Sequence, residues 1–519
     1  MRKPAFALIG LGLLLVLFSA LADLLTGGDG RLGAAQLLGV EIGLLLLLIG
    51  IGLWRSDAAF ARDLGPRARN FLSRLPASSP TVWAVATFLA LYLTLFISPL
   101  LFSHPAIHYF EKYIPDAWVT RIGFDAEQTV THVQAWLTDG TSPYADGIVP
   151  YSPLTLALFA PLSLLGYPGY YKFLSLLTIA CFILCALLIP IWIGRKNETV
   201  IASPKEAIYS TNGRLLPFDA AQDKRRDVHP PRNDVLILLF FLAGLFSYGF
   251  QFELERGQFN VIAFACALTA VYLFHYHEKW RTLAYLLFSL AVQLKLYPAI
   301  FVLMLVEDWR DWKGNLKRFA GLGLFNFALL FVLGFDLGGQ FISKMIARQG
   351  GFVSSRMEDI SIGGFVLQLS ADGFGLLSPE TTARLAQFSN LLSVFLLAVF
   401  IACLLAVIVR AYKTRQQGMN FSLLAISTLC ALVIPAGSFD YKLPLLAAPL
   451  ALVLADLPVL PALPKRLASF ALTVLLCLAY WWTQYPSTVK PPLLAKNFPA
   501  LFVILLAVTA LHFVSSREG

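Results

Sequence analysis

The chain has 519 residues, of which 58% are hydrophobic and only 14% charged, with a mean hydropathy of +0.70. Soluble globular domains carry about a quarter charged residues, so this composition excludes a soluble fold and points to a membrane protein. The net charge of +9, from 40 Lys and Arg against 31 Asp and Glu, reports topology before any partner; with no basic helix or aromatic-interleaved patch outside the loops, it argues against nucleic-acid binding.

A bilayer-spanning helix needs ~20 apolar residues. Apolar runs recur over 5–25, 36–54, 81–102, 154–166, 170–194, 235–252, 259–276, 282–306, 319–336, 388–411, 421–437, 443–457, 466–483 and 498–515. They predict an all-α polytopic membrane protein of about 12–14 transmembrane helices, some short or broken. Residues 1–80 hold two helices and a basic loop. Residues 81–336 form a core with an outer loop at 103–150 and an insertion at 195–234. A second outer loop fills 337–387, and 388–519 hold the remaining helices. The first run follows Met1-Arg2-Lys3 like a signal peptide, but its length and the weak Ala20-Leu21-Ala22 site favour an uncleaved helix. Segment 154–166, with Pro153 and Pro161, is too short to span and predicts a partial-depth helix.

Cationic residues assign the sides. Arg55, Arg62, Arg67, Arg69 and Arg74 place loop 55–80 in the cytoplasm. Lys205, Lys224, Arg225 and Arg226, among others, do the same for 195–234, a polar segment without apolar periodicity that predicts a disordered insertion. Both termini are then cytoplasmic in the cell membrane. Loops 103–150, 337–387 and Ser438–Lys442 face outward. Run 282–306 breaks the alternation, because both its flanks, 275–281 and 307–318, are charged and partly basic. Its middle reads Gln293-Leu294-Lys295-Leu296-Tyr297-Pro298. Proline interrupts a helix, and a lysine at membrane depth is costly unless it faces a cavity or a partner. The pattern predicts a hairpin of two short helices with Lys295–Pro298 at its tip.

On this topology a polar set shares the outer side. Asp125, held in a cleft at the membrane surface, is a candidate general base; a helix cap with Gln128 at box spacing is the plainer alternative. Glu127, two positions on, points elsewhere on a helix and is a secondary substrate contact. Tyr144 and Tyr151 lie in the segments Asp139–Tyr144 and Tyr151-Ser152-Pro153. Glu255-Arg256-Gly257-Gln258-Phe259-Asn260 joins two spans through a turn that Gly257 permits. Glu255, Gln258 and Asn260 there suit sugar hydroxyls or phosphate, although a capped turn accounts for them equally. Lys295, with Arg256 and Arg356, is the candidate cation set for a lipid-linked phosphate; snorkelling is the alternative for the lysine. Tyr297, Asp440 and Lys442 complete the candidate substrate contacts, although Asp440 and Lys442 also read as a local ion pair closing a hairpin. All six cysteines fall in apolar runs without metal-ligand spacing and read as buried apolar residues. No metal site is expected.

Phe124-Asp125 with its following helix, Asp139-Gly140-Thr141-Ser142-Pro143-Tyr144 and Tyr151-Ser152-Pro153 resembles the first outer loop of the GT-C membrane glycosyltransferases. Gly257-Gln258-Phe259-Asn260 followed by Lys295-Leu296-Tyr297-Pro298 is similar to glycosyltransferase family 87, which includes polyprenyl-phosphate-mannose-dependent mannosyltransferases and related arabinofuranosyltransferases. The resemblance implies a GT-C-like fold. It also implies inverting transfer of mannose, or another hexose or pentose, from a polyprenyl-phosphate donor to an extracytoplasmic glycan or glycolipid. It implies that Asp125 deprotonates the acceptor hydroxyl and that Lys295 contacts the donor phosphate. A metal is not implied, since a monophosphate leaves without a pyrophosphate to neutralise. Ala126-Glu127-Gln128-Thr129 departs from the aromatic residues that often follow the family's aspartate. A transporter or flippase of a lipid-linked or anionic solute is the rival expectation, because broken helices and a buried lysine suit transporters too. The one-sided polar set and the lack of an inverted repeat favour the enzyme.

Overall fold

The computed structural model describes residues 9–15, 123–145, 149–201, 234–351, 359–372, 378–416, 418–456, 463–480 and 497–515. The runs 36–54 and 81–102, loop 55–80, Arg356 and most of insertion 195–234 lie outside the described residues. Every regular element among the described residues is helical; an isolated bridge joins Asp359 to Phe439.

Helix α1 (Phe124–Asp139) begins after Gly123 at φ 78° and ends at Gly140 at φ 67°, both in the left-handed region that favours glycine. Helix α2 (Pro153–Phe159) starts where Ser152 Oγ accepts the Thr155 N–H, with Pro153 in the first turn, where no amide donor is needed. It tightens into a 3-10 turn at Ala160–Leu165, so segment 154–166 is indeed a short helical element. Helix α3 (Gly166–Ile183) continues through a π-turn at Leu184–Leu188 into α4 (Ile189–Ile201). Helicity therefore runs past residue 195 into the segment expected to be disordered, because nothing in Asn197–Ile201 breaks a helix. Helices α5 (Asp234–Leu245) and α6 (Tyr248–Arg256) form a broken pair, bent by 53° near Ser247, whose hydroxyl caps α6.

Helices α7 (Asn260–Tyr276) and α8 (Arg281–Leu294) pack along their length. At Lys295 the backbone extends (φ −152°, ψ 144°), and Pro298 falls at the start of a 3-10 segment, Tyr297–Met304. This segment returns to where α8 began. Arg281 pairs with Glu307, and Arg318 Nη1 donates to the Leu305 carbonyl at 2.7 Å. The hairpin expected from the basic flanks is thus formed, with Lys295 at its tip. Tyr297 Oη donates to the Asn260 carbonyl at 2.6 Å, tying the tip to the start of α7.

The remaining elements are α9 (Trp312–Leu329), α10 (Phe335–Gly351), α11 (Ile362–Asp372), α12 (Pro379–Gln387), α13 (Ser389–Thr414), α14 (Phe421–Val433), α15 (Ala447–Asp456), α16 (Leu463–Tyr480) and α17 (Asn497–Ser515). A 3-10 segment at Asp440–Leu446 precedes α15. Region 337–387, expected as a loop, is largely helical. Its first helix, α10, is too polar to span but is amphipathic, setting Phe341, Ile342 and Met345 against a core beside α1.

Two helices are long and apolar enough to cross a membrane, Gly169–Gly194 and Ser389–Thr414, and the bent pair can supply a third. The described residues therefore hold fewer spans of full length than the apolar runs predict. Other apolar helices, such as α14 with 13 residues, are shorter, and the runs 36–54 and 81–102 lie outside the described residues. In α14, Phe421 and Leu423 through Val433 are all buried, and a helix apolar on every side belongs inside a protein core as readily as in lipid. Helix α13, by contrast, exposes Leu391, Val394, Phe395, Ile401 and Leu405, an outward face suited to hydrocarbon.

One polar layer fastens α8 to α9. Gln293 Nε2 donates to the Asn326 carbonyl at 2.9 Å, and Asn326 Nδ2 donates to Ser289 Oγ at 3.1 Å. Interhelical hydrogen bonds in membranes contribute about 1 kcal/mol each. Asn326→Leu should therefore lower the thermal unfolding midpoint in detergent, with a loss of about 1–2 kcal/mol; an unchanged midpoint would show that the layer contributes nothing net.

Candidate active site

The turn between α6 and α7 is locked before any ligand arrives. Gly257, at φ 67°, ends α6 and donates its N–H toward the Glu253 and Leu254 carbonyls. The Glu253 carboxylate, fully buried, accepts Asn260 Nδ2 at 2.9 Å and the Val261 N–H at 3.0 Å. A buried carboxylate needs such partners, and these two bonds fold the chain back so that Gln258 projects from a rigid corner.

Helix α1 approaches this corner closely. A Cβ added to Gly257 would lie 2.8 Å from Ala126 Cβ, so only a glycine leaves room. The buried face of α1, Ala126, Val130 and Val133, packs with Tyr170, Leu174 and Phe259. Asp125 sits in the first turn of α1, where a carboxylate complements the helix N-terminus. The cap itself is Gly123, so the Asp125–Gln128 capping box is not formed. Instead the Asp125 side chain reaches the turn. Arg256 donates Nε to Oδ2 and Nη2 to Oδ1, both at 3.1 Å, and Gln258 Nε2 donates to Oδ2. The forked pairing fixes both the position and the plane of the carboxylate.

Lys295 closes the set from the hairpin tip. Its Nζ donates to Gln258 Oε1 at 2.8 Å and lies 4.6 Å from the centre of the Tyr151 ring. Tyr151 Oη also points to Gln258 Oε1, at 3.4 Å. The Tyr151 ring is held edge-on by Phe259, with centroids 4.8 Å apart. Thr155 Oγ1 donates to the Gln293 carbonyl at 2.7 Å, tying α2 to the last turn before Lys295.

Of the sequence candidates, Asp125, Arg256, Gln258, Lys295 and Tyr151 thus meet in one network. Others stand around it. Tyr144 is buried, its hydroxyl donating to the Tyr151 carbonyl at 2.8 Å and its ring against Phe341, so it braces Tyr151. Asn260 and Tyr297 hold the turn and the tip through the bonds given above. Glu127 lies on α1 two positions past Asp125. Glu255 falls on α6, but its side chain, like all of Arg356, is outside the described residues.

Asp440 and Lys442 do not close a local ion pair with each other. Asp440 Oδ1 accepts Asn497 Nδ2 at 2.8 Å, whereas Lys442 Nζ donates to Ser438 Oγ at 3.0 Å and lies over the Tyr297 ring at 5.7 Å. Both are buried in the 3-10 segment before α15, whose geometry turns their side chains toward different neighbours. Lys442 feels the charges of both Glu253 and Asp359, and Glu253 that of Lys295. A row of alternating charge therefore runs back from the tip. Asp359 was not singled out in the sequence, where it is one acidic residue in a long polar region. Its Oδ1 accepts the Ser361 N–H at 3.0 Å and the Ser438 N–H at 3.2 Å, stapling the start of α11 to the turn before Asp440. Among the described residues, no three His, Cys, Asp or Glu side chains gather as metal ligands would.

Residues 150–436, more than half of the chain, match the model of glycosyltransferase family 87. No curated protein and no solved structure matches. The match contains Tyr151, the α6–α7 turn and Lys295. Asp125 precedes it and is joined to it by Arg256 and Gln258.

Two outcomes follow from this geometry. Gly257→Ala forces both a left-handed alanine and a clash with Ala126; it should cost about 1–3 kcal/mol and move Asp125 enough to lower turnover ~10-fold or more, read by thermal unfolding and activity. Burial pushes the Asp359 carboxyl above the usual carboxylate range. An acid with a raised folded-state pKa binds its proton more readily when folded, so it burdens stability as pH rises above its unfolded value, ~3.9. Asp359→Asn keeps the Oδ1 acceptor and removes that burden. Its unfolding midpoint should exceed that of the parent at neutral pH, and the gain should vanish in acid; a gain independent of pH would contradict this.

Proposed function

The chain belongs to glycosyltransferase family 87 and is a glycosyltransferase, and from that premise we propose that it moves a single sugar from a polyprenyl-phosphate donor to an extracytoplasmic glycan or glycolipid hydroxyl, with inversion. Asp125 is the general base and Lys295 the principal contact of the donor phosphate. The observation that carries this reading is that Gln258 holds the two together, accepting from Lys295 and donating to Asp125.

In the reaction the acceptor oxygen bonds to the anomeric carbon. The bond from that carbon to the phosphate oxygen breaks, its electron pair staying on the phosphate. The acceptor proton passes to Asp125. Negative charge thus moves from a carboxylate to a leaving phosphate, and a site that needs no further reorganisation must hold cations near both. Arg256 lies on the carboxylate and Lys295 on the adjoining amide. A carboxylate has about four lone-pair positions, and the three donors on Asp125 leave one on Oδ1 for an incoming hydroxyl.

The sides of the membrane support the same reading. The site lies at the Asn260 end of α7. At the Tyr276 end, ~25 Å away for a helix of this length, Lys196 Nζ donates to the Tyr276 carbonyl at 3.2 Å, near Arg281. On the positive-inside rule the basic end is read as cytoplasmic, which supports a site facing outward, where a lipid-linked sugar is offered at the bilayer surface.

Purified protein given a polyprenyl-phosphate sugar and acceptor should release polyprenyl phosphate. Asp125→Asn should cut this release ~10²–10⁴-fold while leaving polyprenyl-phosphate binding within a few-fold. Lys295→Ala should raise the donor KM about 10–100-fold, the value of a hydrogen bond to a charged group. A folded Asp125→Asn protein that still transfers sugar would end the assignment of the base.

A further inference from the structure

Gln258 has a chemical polarity that its neighbours impose. Lysine only donates hydrogen bonds and a carboxylate only accepts them. With Lys295 Nζ on Oε1 and Asp125 on Nε2, the amide cannot be turned over without losing both bonds. It is also buried and anchored in the turn that Glu253 locks. A second donor, Tyr151 Oη, waits at 3.4 Å from the same Oε1. The tyrosine cannot drift, since Phe259 flanks its ring and Tyr144 holds its backbone carbonyl.

We propose that Gln258 is a positioning residue that couples donor occupancy to the base, orienting Asp125 through Nε2 while Oε1 passes from Lys295 to the Tyr151 hydroxyl when the donor phosphate claims the lysine. The inference rests on the assignment of Asp125 as base and Lys295 as phosphate contact. The physical need is plain. When Lys295 turns to a phosphate, an unpartnered buried amide oxygen would favour rotation of the Gln258 side chain, and Asp125 would lose its in-plane donor as the acceptor arrives. The Tyr151 hydroxyl keeps Oε1 satisfied, so Asp125 is held by the same group before and after donor binding. The coupling needs a neutral amide: a carboxylate at 258 places a like charge against Asp125, and an alkyl chain transmits nothing.

The test uses the full-length protein in detergent with a polyprenyl-phosphate sugar and acceptor, comparing Gln258→Met, Gln258→Glu and Tyr151→Phe. Polyprenyl phosphate alone serves as the binding probe, and unfolding midpoints serve as the check on folding. Gln258→Met, close in volume, should lower kcat ~30–100-fold, the scale of an approximately 1 Å misplacement, with probe affinity within threefold of the parent. Gln258→Glu should shift the acid limb of the kcat/KM profile to higher pH, because adjacent carboxylates favour a shared proton. Tyr151→Phe should lower kcat at saturating donor, with probe affinity again little changed. Full kcat in folded Gln258→Met, or a loss confined to donor KM and probe affinity, would overturn the proposal: the first denies positioning and the second makes Gln258 an ordinary donor contact. An unshifted acid limb in Gln258→Glu would overturn it also, and remains readable if the Met variant fails to fold. These outcomes differ from failure of the underlying assignment, which shows as transfer retained by Asp125→Asn.

Discussion

The close approach of helix α1 to the α6–α7 turn is the constraint on which the site depends. Ala126 and Gly257 meet with no room for another carbon. That contact puts Asp125, a residue outside the family match, within hydrogen-bonding reach of Arg256 and Gln258, which lie inside it. If α1 stood one side-chain layer further off, the carboxylate would need other partners and the lysine at the hairpin tip would face an amide connected to nothing.

Charge near a membrane explains why the groups form a network. Desolvated ions are costly alone and tolerable when paired and hydrogen-bonded. Each ionic group here has such a partner: Asp125 has Arg256 and Gln258, Lys295 has Gln258 and the Tyr151 ring, and Glu253 has Asn260 and the Val261 amide. The same bonds that stabilise the charges also orient them, so stability and preorganisation arise from one arrangement. The break at Lys295–Pro298 belongs to it too, because Lys295, extended at the end of α8, donates from there to Gln258.

Much of the site was legible in the sequence because its signals are local and costly. A lysine in the middle of an apolar run, followed by proline, demands an exception to regular helix, and the basic flanks at 275–281 and 307–318 identify which exception. Gly257 between Arg256 and Gln258 marks a turn. The bonds that Tyr144, Asn260 and Tyr297 make within the fold were not legible, because the Tyr144 and Tyr297 hydroxyls donate to backbone carbonyls and Asn260 Nδ2 to Glu253, contacts that only the three-dimensional packing creates. Asp359 and the separate partners of Asp440 and Lys442 were hidden too, since Asp359 reaches Ser438 and Asp440 reaches Asn497 across long stretches of chain, and the short bond from Lys442 to Ser438 exists only once the 3-10 segment has formed. Hydropathy alone also does not separate a helix facing lipid from one such as α14, which other helices enclose.

The proposed mechanism requires Asp125 and Lys295 to serve two ends of one substrate. The most direct measurement is a structure of the protein with a polyprenyl-phosphate sugar bound. The phosphate should lie within hydrogen-bonding distance of Lys295 Nζ, with the anomeric carbon facing Asp125 and Tyr151 Oη closed onto Gln258 Oε1. A phosphate seated away from Lys295, with the Asp125–Arg256–Gln258 cluster remote from the sugar, would contradict it.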